Sequence, residues 1–245
     1  MRLPRRRHPH ADRWRTGIGR ALALELAGLG FNVVVHARTL LELEPVQSAN
    51  AAAHPARRVV CLAHDCTKPA DWDALLAPLA GLRLTLLINN VATSPPLTAF
   101  ASLSDDQIEG TARANALFPA QLARRLLPAL PAAAPALVLN MCSASTRVPM
   151  PCLAPYIASK AYLDLWARSL RVELLMLHWD VECKVVNTGE VSSSGHAVPT
   201  GFFTPTAAVY ARSLLARAGM PGPAYDGYWR HGILVRHARC WCAFR

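Results

Sequence analysis

Short apolar runs alternate along this chain with longer runs in which apolar residues recur at helical spacing. Apolar runs of strand length lie at residues 31–36, 58–63, 84–89, 136–140 and 180–187. Between them, helical spacing and capping signals predict helices at residues 20–27, 40–53, 72–79, 104–127 and 161–173. This regular strand–helix alternation predicts an α/β fold, a doubly wound parallel sheet with helices on both faces.

The beginning of the chain does not follow this strand–helix alternation. Residues 1–15 contain six arginines and show neither alternation nor an apolar run, so they do not predict a buried strand. The helix at residues 20–27 therefore begins without a strand in front of it. We expect the first strand of the sheet to be missing or degraded.

Charge is concentrated at the two ends. The net charge of +10 divides into +6 for residues 1–20 and +4 for residues 230–245, which leaves the middle neutral. A nucleic-acid binding face would be built into the folded domain, so the neutral middle argues against a nucleic-acid partner. We predict an atypical basic segment at residues 1–15, one domain at residues 16–233 and a basic tail at residues 234–245.

Apolar residues make up 52% of the chain, yet prolines and charges interrupt every long apolar window. No membrane-spanning helix or signal peptide is therefore expected, and membrane contact is at most peripheral. The seven cysteines are an odd number at irregular spacing, typical of buried thiols in a reducing, cytoplasmic compartment. Their spacing predicts no metal site.

One stretch carries residues suited to proton transfer. Tyr156 and Lys160 are four residues apart, so a helix places both side chains on one face. A nearby ammonium favours the phenolate and would lower the pKa of the tyrosine towards neutrality. Ser143, at the end of the run at 136–140, would hydrogen-bond a substrate oxygen. These residues predict a general acid, Tyr156, whose pKa Lys160 lowers and whose substrate Ser143 positions.

Five ordered motifs resemble the short-chain dehydrogenase/reductase family from about Thr16 to about Ile233. They are Thr16-Gly-Ile-Gly19, Leu87-Ile-Asn-Asn-Val-Ala92, Asn115 within Ala114-Asn-Ala-Leu-Phe-Pro119, Ser143, and Tyr156-x-x-x-Lys160. Softer matches at residues 89–91, 148–151 and 227–232 resemble the branch of very-long-chain 3-ketoacyl-CoA reductases and 17-beta-hydroxysteroid dehydrogenases. The resemblance implies a Rossmann-type fold and the reduction of a ketone by hydride transfer.

The resemblance also implies roles for individual residues. The implied catalytic residues are Asn115, Ser143, Tyr156 and Lys160, with Tyr156 as proton donor and Asn115 holding a water in the proton relay. The implied cofactor-binding residues are Gly17, Ile18, Gly19, Arg38, Asp65, Asn90, Tyr156, Lys160, Gly189 and Val191. Arg38 follows the strand at 31–36, which ends without a carboxylate, and is placed to pair with a 2′-phosphate. We therefore expect NADP(H) as the cofactor.

The first glycine motif departs from the family pattern. Aligning Thr16-Gly-Ile-Gly19 with that pattern puts Asp12 and Arg13 where the family has its first Thr-Gly. Arg13 carries a side chain where the tight turn needs glycine, which weakens the expected cofactor site. In this family the first strand lies mid-sheet, so we expect a gap between the strands at 31–36 and 84–89. Either residues 1–15 occupy that gap as a poor strand, or a transcript encodes an apolar strand and a Thr-Gly before Thr16.

Two functions remain open. The leading one is NADP-dependent reduction of a lipid, acyl or steroid-like ketone, with Val198, Phe202 and Phe203 either forming an apolar lid or packing their own loop. The alternative is a catalytically impaired relative or truncated gene product that acts as an interaction module. The family resemblance also implies a homodimer and a location in the cytoplasm or on the endoplasmic reticulum surface.

Overall fold

A computed structural model describes residues 17–193 and 196–233 of the chain. The predicted segments 1–15 and 234–245 lie outside these residues. Seven α-helices and six strands alternate within the described part. The helices are α1 (Ile18–Gly28), α2 (Leu40–Ala53), α3 (Trp72–Leu76), α4 (Asp105–Ala112), α5 (Phe118–Leu126), α6 (Ala154–Met176) and α7 (Ala207–Ala216). The strands are β1 (Val33–Ala37), β2 (Val59–Ala63), β3 (Leu86–Asn89), β4 (Ala136–Ser143), β5 (Val181–Thr188) and β6 (Ala224–Asp226).

All ladders between these strands are parallel, and helices cover both faces, which confirms the doubly wound α/β fold. The strands nevertheless form two sheets within the described residues, one of β1 and β2 and one in the order β3-β4-β5-β6. Residues of both β1 and β3 line one cavity. The expected degraded first strand, and with it the expected gap between these two strands, concerns residues before Gly17, which lie outside the described part of the chain.

The side chains of β4 alternate between two cores, as a strand buried on both faces requires. Leu139 and Met141 pack against α1 and α7, whereas Val138 and Cys142 pack against α6. The long helix α6 lies along β4 and β5, so its amino end is fixed over the carboxyl ends of these strands. In open parallel sheets, ligand sites lie at these carboxyl ends.

A row of buried amide groups crosses the larger sheet. Asn89 Nδ2 donates to Asn140 Oδ1 at 2.8 Å, and Asn140 Nδ2 lies 3.3 Å from the Lys184 carbonyl oxygen. Asn89 and Asn140 are neighbours in the β3–β4 register, and Asn140 is fully buried. These bonds satisfy polar groups that would otherwise be costly at this depth.

The helix predicted at residues 104–127 has a widened turn in its middle. A capping box of Ser104 and Gln107 begins α4, and a π-helical turn at Arg113–Leu117 separates α4 from α5. Pro119 has no N–H and cannot donate to the Asn115 carbonyl, so the ordinary helical pattern fails here. This π-helical turn lies where the sequence predicted a kink beside Asn115. None of the helices in the described residues is long and apolar enough to cross a bilayer.

Candidate active site

Tyr156 and Lys160 lie in the first two turns of α6, on one face as their spacing predicts. The Lys160 side chain is buried, and its Nζ donates to the Met141 carbonyl oxygen of β4 at 2.7 Å. Burial lowers the pKa of Lys160 to about 8, with Cys142 acting weakly in the opposite direction. The ammonium therefore ties α6 to β4 and sits in surroundings that make its charge costly.

The surroundings of Tyr156 shift the pKa of its phenol in a direction that the sequence did not predict. Burial raises the pKa of Tyr156, and the Ser143 hydroxyl partly counteracts this effect. The sequence led us to expect a lowered pKa for Tyr156, whereas the net shift in this arrangement is upward and Lys160 is not among its causes. Tyr156 is therefore held in its protonated form, as a proton donor must be.

Ser143 ends β4 and lines the same cleft as Tyr156. Its Oγ lies 2.7 Å from Ser145 Oγ and accepts a hydrogen bond from the Ser145 N–H at 3.2 Å. Sequence analysis missed Ser145, which also lines the cleft. The Ser-x-Ser spacing at a strand end was the available signal, because serine hydroxyls commonly bind the backbone two residues on.

Asn115 is fully buried in the π-helical turn, and both N–H groups of its side-chain amide are used within the protein. The amide donates to the Thr93 carbonyl oxygen at 2.7 Å and to Ser159 Oγ at 3.0 Å, and it accepts from the Thr93 N–H at 2.7 Å. Asn115 therefore fastens the segment after β3 to α6.

The start of α1 supplies anion-binding groups to the cleft. Gly17 is the N-cap and lines the cleft with Ile18 and Gly19. Within residues 17–193 and 196–233 no side chain caps this helix, and its first turn contains no acidic residue, which suits the binding of an anion. A Cβ on Gly19 would lie 3.0 Å from Asn90 Nδ2. Glycine thus permits the close approach of α1 to the segment after β3.

Arg38 and Asp65 lie apart from the cleft lining, at the carboxyl ends of β1 and β2. The Arg38 guanidinium pairs with Glu42 at 2.7 Å, and the Arg38 N–H donates to the same carboxylate. Burial alone would raise the pKa of Asp65, but hydrogen bonds from Thr67 and the charge of Arg38 lower it overall. Sequence analysis missed Glu42, although its place three residues after Thr39 matches a capping-box spacing. A carboxylate therefore does lie beside Arg38, but it is that of Glu42 in α2 and does not belong to β1.

A histidine from the end of the described chain holds the turn after β5. His231 Nδ1 accepts from the Gly189 N–H at 3.0 Å, while Nε2 lies 3.1 Å from the Phe203 carbonyl oxygen and 3.2 Å from that of Glu190. These partners require a neutral ring protonated on Nε2, and burial lowers the pKa of His231. Sequence analysis could not find this contact, because 42 residues separate its partners.

His231→Phe is expected to destabilise the fold by about 1–3 kcal/mol, because the Gly189 N–H and two carbonyls lose their partner. The folded state holds the His231 pKa below that of the unfolded chain, so the unfolded chain takes up the proton first as the pH falls. Wild-type stability should therefore decline below a pH of about 6.5. Urea unfolding at several pH values should show a weaker decline in the variant, with exposed His178→Phe as control. Parallel pH profiles for wild type and His231→Phe would contradict this role.

The predicted residues divide into two groups, those that line the cleft and those that do not. The residues that line it are Gly17, Ile18, Gly19, Asn90, Ser143, Tyr156, Gly189 and Val191. Arg38, Asp65, Asn115 and Lys160 do not line it. Val198, Phe202 and Phe203 are also absent from the lining. Phe202 packs edge-on against Phe203 and Trp229, which favours the interpretation that these residues pack their loop. Met150 and Leu153, which sequence analysis missed, supply apolar surface to the cleft.

Known proteins share this arrangement in sequence over most of the chain. A very-long-chain 3-oxoacyl-CoA reductase from Aspergillus fumigatus is 29% identical over 233 residues, which cover 91% of this chain and 67% of that protein. A very-long-chain 3-oxoacyl-CoA reductase-like protein from Arabidopsis thaliana is 33% identical over 224 residues, covering 89% and 71%. The chain thus spans about two thirds of the length of these relatives.

Solved structures share the fold. A 7beta-hydroxysteroid dehydrogenase superposes with a TM-score of 0.80 at 15% identity over 94% of both chains. A short-chain dehydrogenase from Sphingobium yanoikuyae, solved with NADPH, superposes with a TM-score of 0.77 at 19% identity, covering 94% of this chain and 92% of that one.

The model of the short chain dehydrogenase family matches residues 15–198, which is most of the chain. The match contains every residue that the sequence nominated for the site, from Gly17 to Val191. Because this match and the curated relatives agree, the chain belongs to the short-chain dehydrogenase/reductase family, in the branch that includes the 3-oxoacyl-CoA reductases.

Proposed function

We propose that this protein reduces a ketone on a lipid or acyl substrate to an alcohol, with NADPH as hydride donor. One observation carries the proposal: Ser143 and Tyr156 line the same cleft as the amino end of α1. Proton donor and anion-binding groups therefore meet in one cavity. The apolar surface of Met150 and Leu153 at this cleft favours an apolar substrate.

The residues of the cleft suit a nicotinamide dinucleotide. The N–H groups at the start of α1 would bind the pyrophosphate, since Gly17 and Gly19 leave the backbone accessible. Asn90 would support the adenosine half, and Gly189 and Val191 would flank the nicotinamide half. Bound there, the cofactor would supply the hydride.

The chain's own residues then handle the oxygen and the proton. Ser143 donates a hydrogen bond to the carbonyl oxygen and polarises it, and Tyr156 gives up its phenol proton as negative charge develops there. Lys160 would exchange the Met141 carbonyl for the nicotinamide ribose and stabilise the phenolate left behind. Pro119 has no N–H to donate to the backbone carbonyl of Asn115. That carbonyl would hold the water that returns a proton to Tyr156.

Consumption of NADPH by the purified full-length chain tests this proposal. The assay would present 3-oxoacyl-CoA esters of increasing chain length and steroid ketones, with the corresponding alcohols and NADP⁺ for the reverse direction. We expect turnover that rises with the apolar length of the substrate. Absence of turnover on every carbonyl, in a chain that melts cooperatively, would reject the reductase.

The alternative is an impaired member of the family that acts as an interaction module. The sequence supports it, because Arg13 stands where the tight turn of the cofactor site needs glycine. Thermal melts with and without NADPH separate the two functions. A melting temperature that NADPH does not raise would favour the interaction module.

The charge pair of Arg38 and Glu42 sets an expectation for cofactor choice. Arg38→Asp should shift the preference towards NADH by about tenfold or more, because a 2′-phosphate would lose its cation and meet a second carboxylate. Glu42→Gln should shift it the other way, since it frees the guanidinium. Fluorescence titration with NADPH and NADH gives the affinity ratio. A ratio that neither variant changes would place Arg38 outside the cofactor site.

A further inference from the structure

The carboxyl end of β4 carries two hydroxyls that contact each other directly. Ser143 is the last residue of this strand, and Ser145 follows in the short helical turn Ala144–Arg147. Ser143 Oγ and Ser145 Oγ lie 2.7 Å apart, and the Ser145 N–H donates to Ser143 Oγ at 3.2 Å. Both residues line the cleft. The proposed reduction uses the Ser143 hydroxyl and gives Ser145 no part.

The hydrogen-bonding capacity of the Ser143 hydroxyl limits what Ser145 can do. A serine hydroxyl donates one hydrogen bond and accepts two. The Ser145 N–H occupies one acceptor position of Ser143 Oγ. The short contact between the two hydroxyls then has two arrangements: Ser143 donates its only proton to Ser145, or Ser145 donates and fills the second acceptor position of Ser143. Only the second arrangement leaves the Ser143 proton for a group in the cleft.

The phenol of Tyr156 distinguishes these two arrangements. Burial raises the pKa of Tyr156, and a hydrogen bond with the Ser143 side chain acts in the opposite direction. A hydrogen bond lowers the pKa of a phenol when it stabilises the phenolate, whose oxygen can only accept. The Ser143 hydroxyl therefore donates towards the Tyr156 oxygen. Its proton is then committed, so Ser145 Oγ is the donor in the contact between the two serines.

Other hydrogen bonds hold the turn in which Ser145 lies. Thr146 Oγ1 donates to the Ser143 carbonyl oxygen at 2.8 Å, and the Val148 N–H donates to the Ser145 carbonyl oxygen at 3.2 Å. These two bonds involve neither the Ser143 hydroxyl nor the Ser145 hydroxyl. Removal of Ser145 Oγ should therefore leave the backbone of the turn in place, and its effect can be separated from a loss of structure.

We propose that Ser145 is a positioning residue, whose hydroxyl donates to Ser143 Oγ and directs the Ser143 proton into the cleft. That proton points to the Tyr156 oxygen in the free protein and to the carbonyl oxygen when a ketone is bound. Hydrogen bonds in a chain polarise one another, so the bond from Ser145 also makes Ser143 a stronger donor. The part that concerns the ketone rests on the proposed reduction, whereas the part that concerns Tyr156 does not.

Carbon-13 NMR of the full chain, labelled at tyrosine Cζ, tests the proposal without turnover. The Cζ resonance reports the ionisation and hydrogen bonding of each phenol, and Tyr156→Phe identifies the resonance of Tyr156. In Ser145→Ala the Ser143 hydroxyl is a weaker donor and can turn away, so the pKa of Tyr156 should be higher than in wild type. If the chain unfolds before Tyr156 ionises, the Cζ shift at neutral pH makes the same comparison.

Two further variants separate the Ser145 hydroxyl from the structure of the turn. Ser145→Thr keeps a hydroxyl and should restore the wild-type Tyr156 resonance. Thr146→Ala is the matched control, because it removes a hydroxyl of the same turn that bonds the Ser143 carbonyl and not the Ser143 hydroxyl. It should lower the melting temperature and leave the Tyr156 resonance unchanged. A wild-type resonance in Ser145→Ala, or an equal change in Thr146→Ala, would overturn the proposal.

Steady-state kinetics connect this hydrogen bond to catalysis. Ser145→Ala should lower kcat for ketone reduction by about two- to tenfold, the range of one neutral hydrogen bond, and leave the KM for NADPH unchanged. Alcohol oxidation needs the phenolate, so its rate should rise at a higher pH in Ser145→Ala than in wild type. Wild-type kcat and pH profile in Ser145→Ala would reject its part in catalysis. A wild type without turnover would reject the reductase instead, and the Tyr156 resonance would still decide whether Ser145 directs the Ser143 proton.

Discussion

Tyr156→Phe is expected to lower the rate of ketone reduction by about 10²–10⁴-fold while leaving NADPH affinity nearly unchanged. Phenylalanine keeps the ring and its packing but removes the only proton that the phenol can give to the carbonyl oxygen. The loss should therefore appear in kcat and not in the KM for NADPH. Steady-state kinetics on the best ketone from the substrate series give both quantities.

Tyr162→Phe provides the matched control for this variant. Tyr162 belongs to the same helix but is 45% exposed and does not line the cleft. It should retain wild-type turnover. Comparable turnover in Tyr156→Phe and wild type, on any ketone that the wild type reduces, would reject Tyr156 as the proton donor.

Lys160→Met is expected to weaken both cofactor binding and turnover by about 10- to 100-fold, the range that corresponds to a lost hydrogen bond from a charged group. Methionine approximates the apolar stem of lysine and limits the cavity that alanine would leave. The variant loses the ammonium that bonds to the Met141 carbonyl and that would serve the ribose and the phenolate. Fluorescence titration measures affinity, and kcat measures turnover.

The pH dependence of cofactor affinity separates charge from packing in this experiment. The pKa of Lys160 lies at about 8, so the side chain is charged below that pH and loses its charge as the pH rises through it. Wild-type affinity for NADPH should fall above a pH of about 8, and Lys160→Met should not show that fall. If the variant loses affinity with the wild-type pH profile, the Lys160 charge does not act on the cofactor.

Local spacing was sufficient to predict the parts of the site that one element builds. Tyr156 and Lys160 are one turn apart on α6, and the irregular turn around Asn115 lies directly before Pro119, so both could be read from neighbours in sequence.

Contacts between distant segments were not predictable from spacing. The Lys160 ammonium was expected to serve Tyr156, but its nearest acceptor is a carbonyl of β4, 19 residues earlier in the chain. His231 reaches Gly189 across 42 residues, and Asn115 reaches Ser159 across 44. Periodicity reports which face of an element is buried but not which partner meets it, and the local electrostatics depend on the partner.

The buried amide row of Asn89 and Asn140 also bears on how the chain assembles. Parallel strands rich in valine and leucine can pair in several registers, because apolar side chains distinguish poorly between neighbours. A slip of β3 by one residue would send Asn89 to the opposite face and leave the Asn140 oxygen buried without a donor. The bond at 2.8 Å thus favours one register of β3 against β4, since a shifted register would leave a buried amide group unsatisfied.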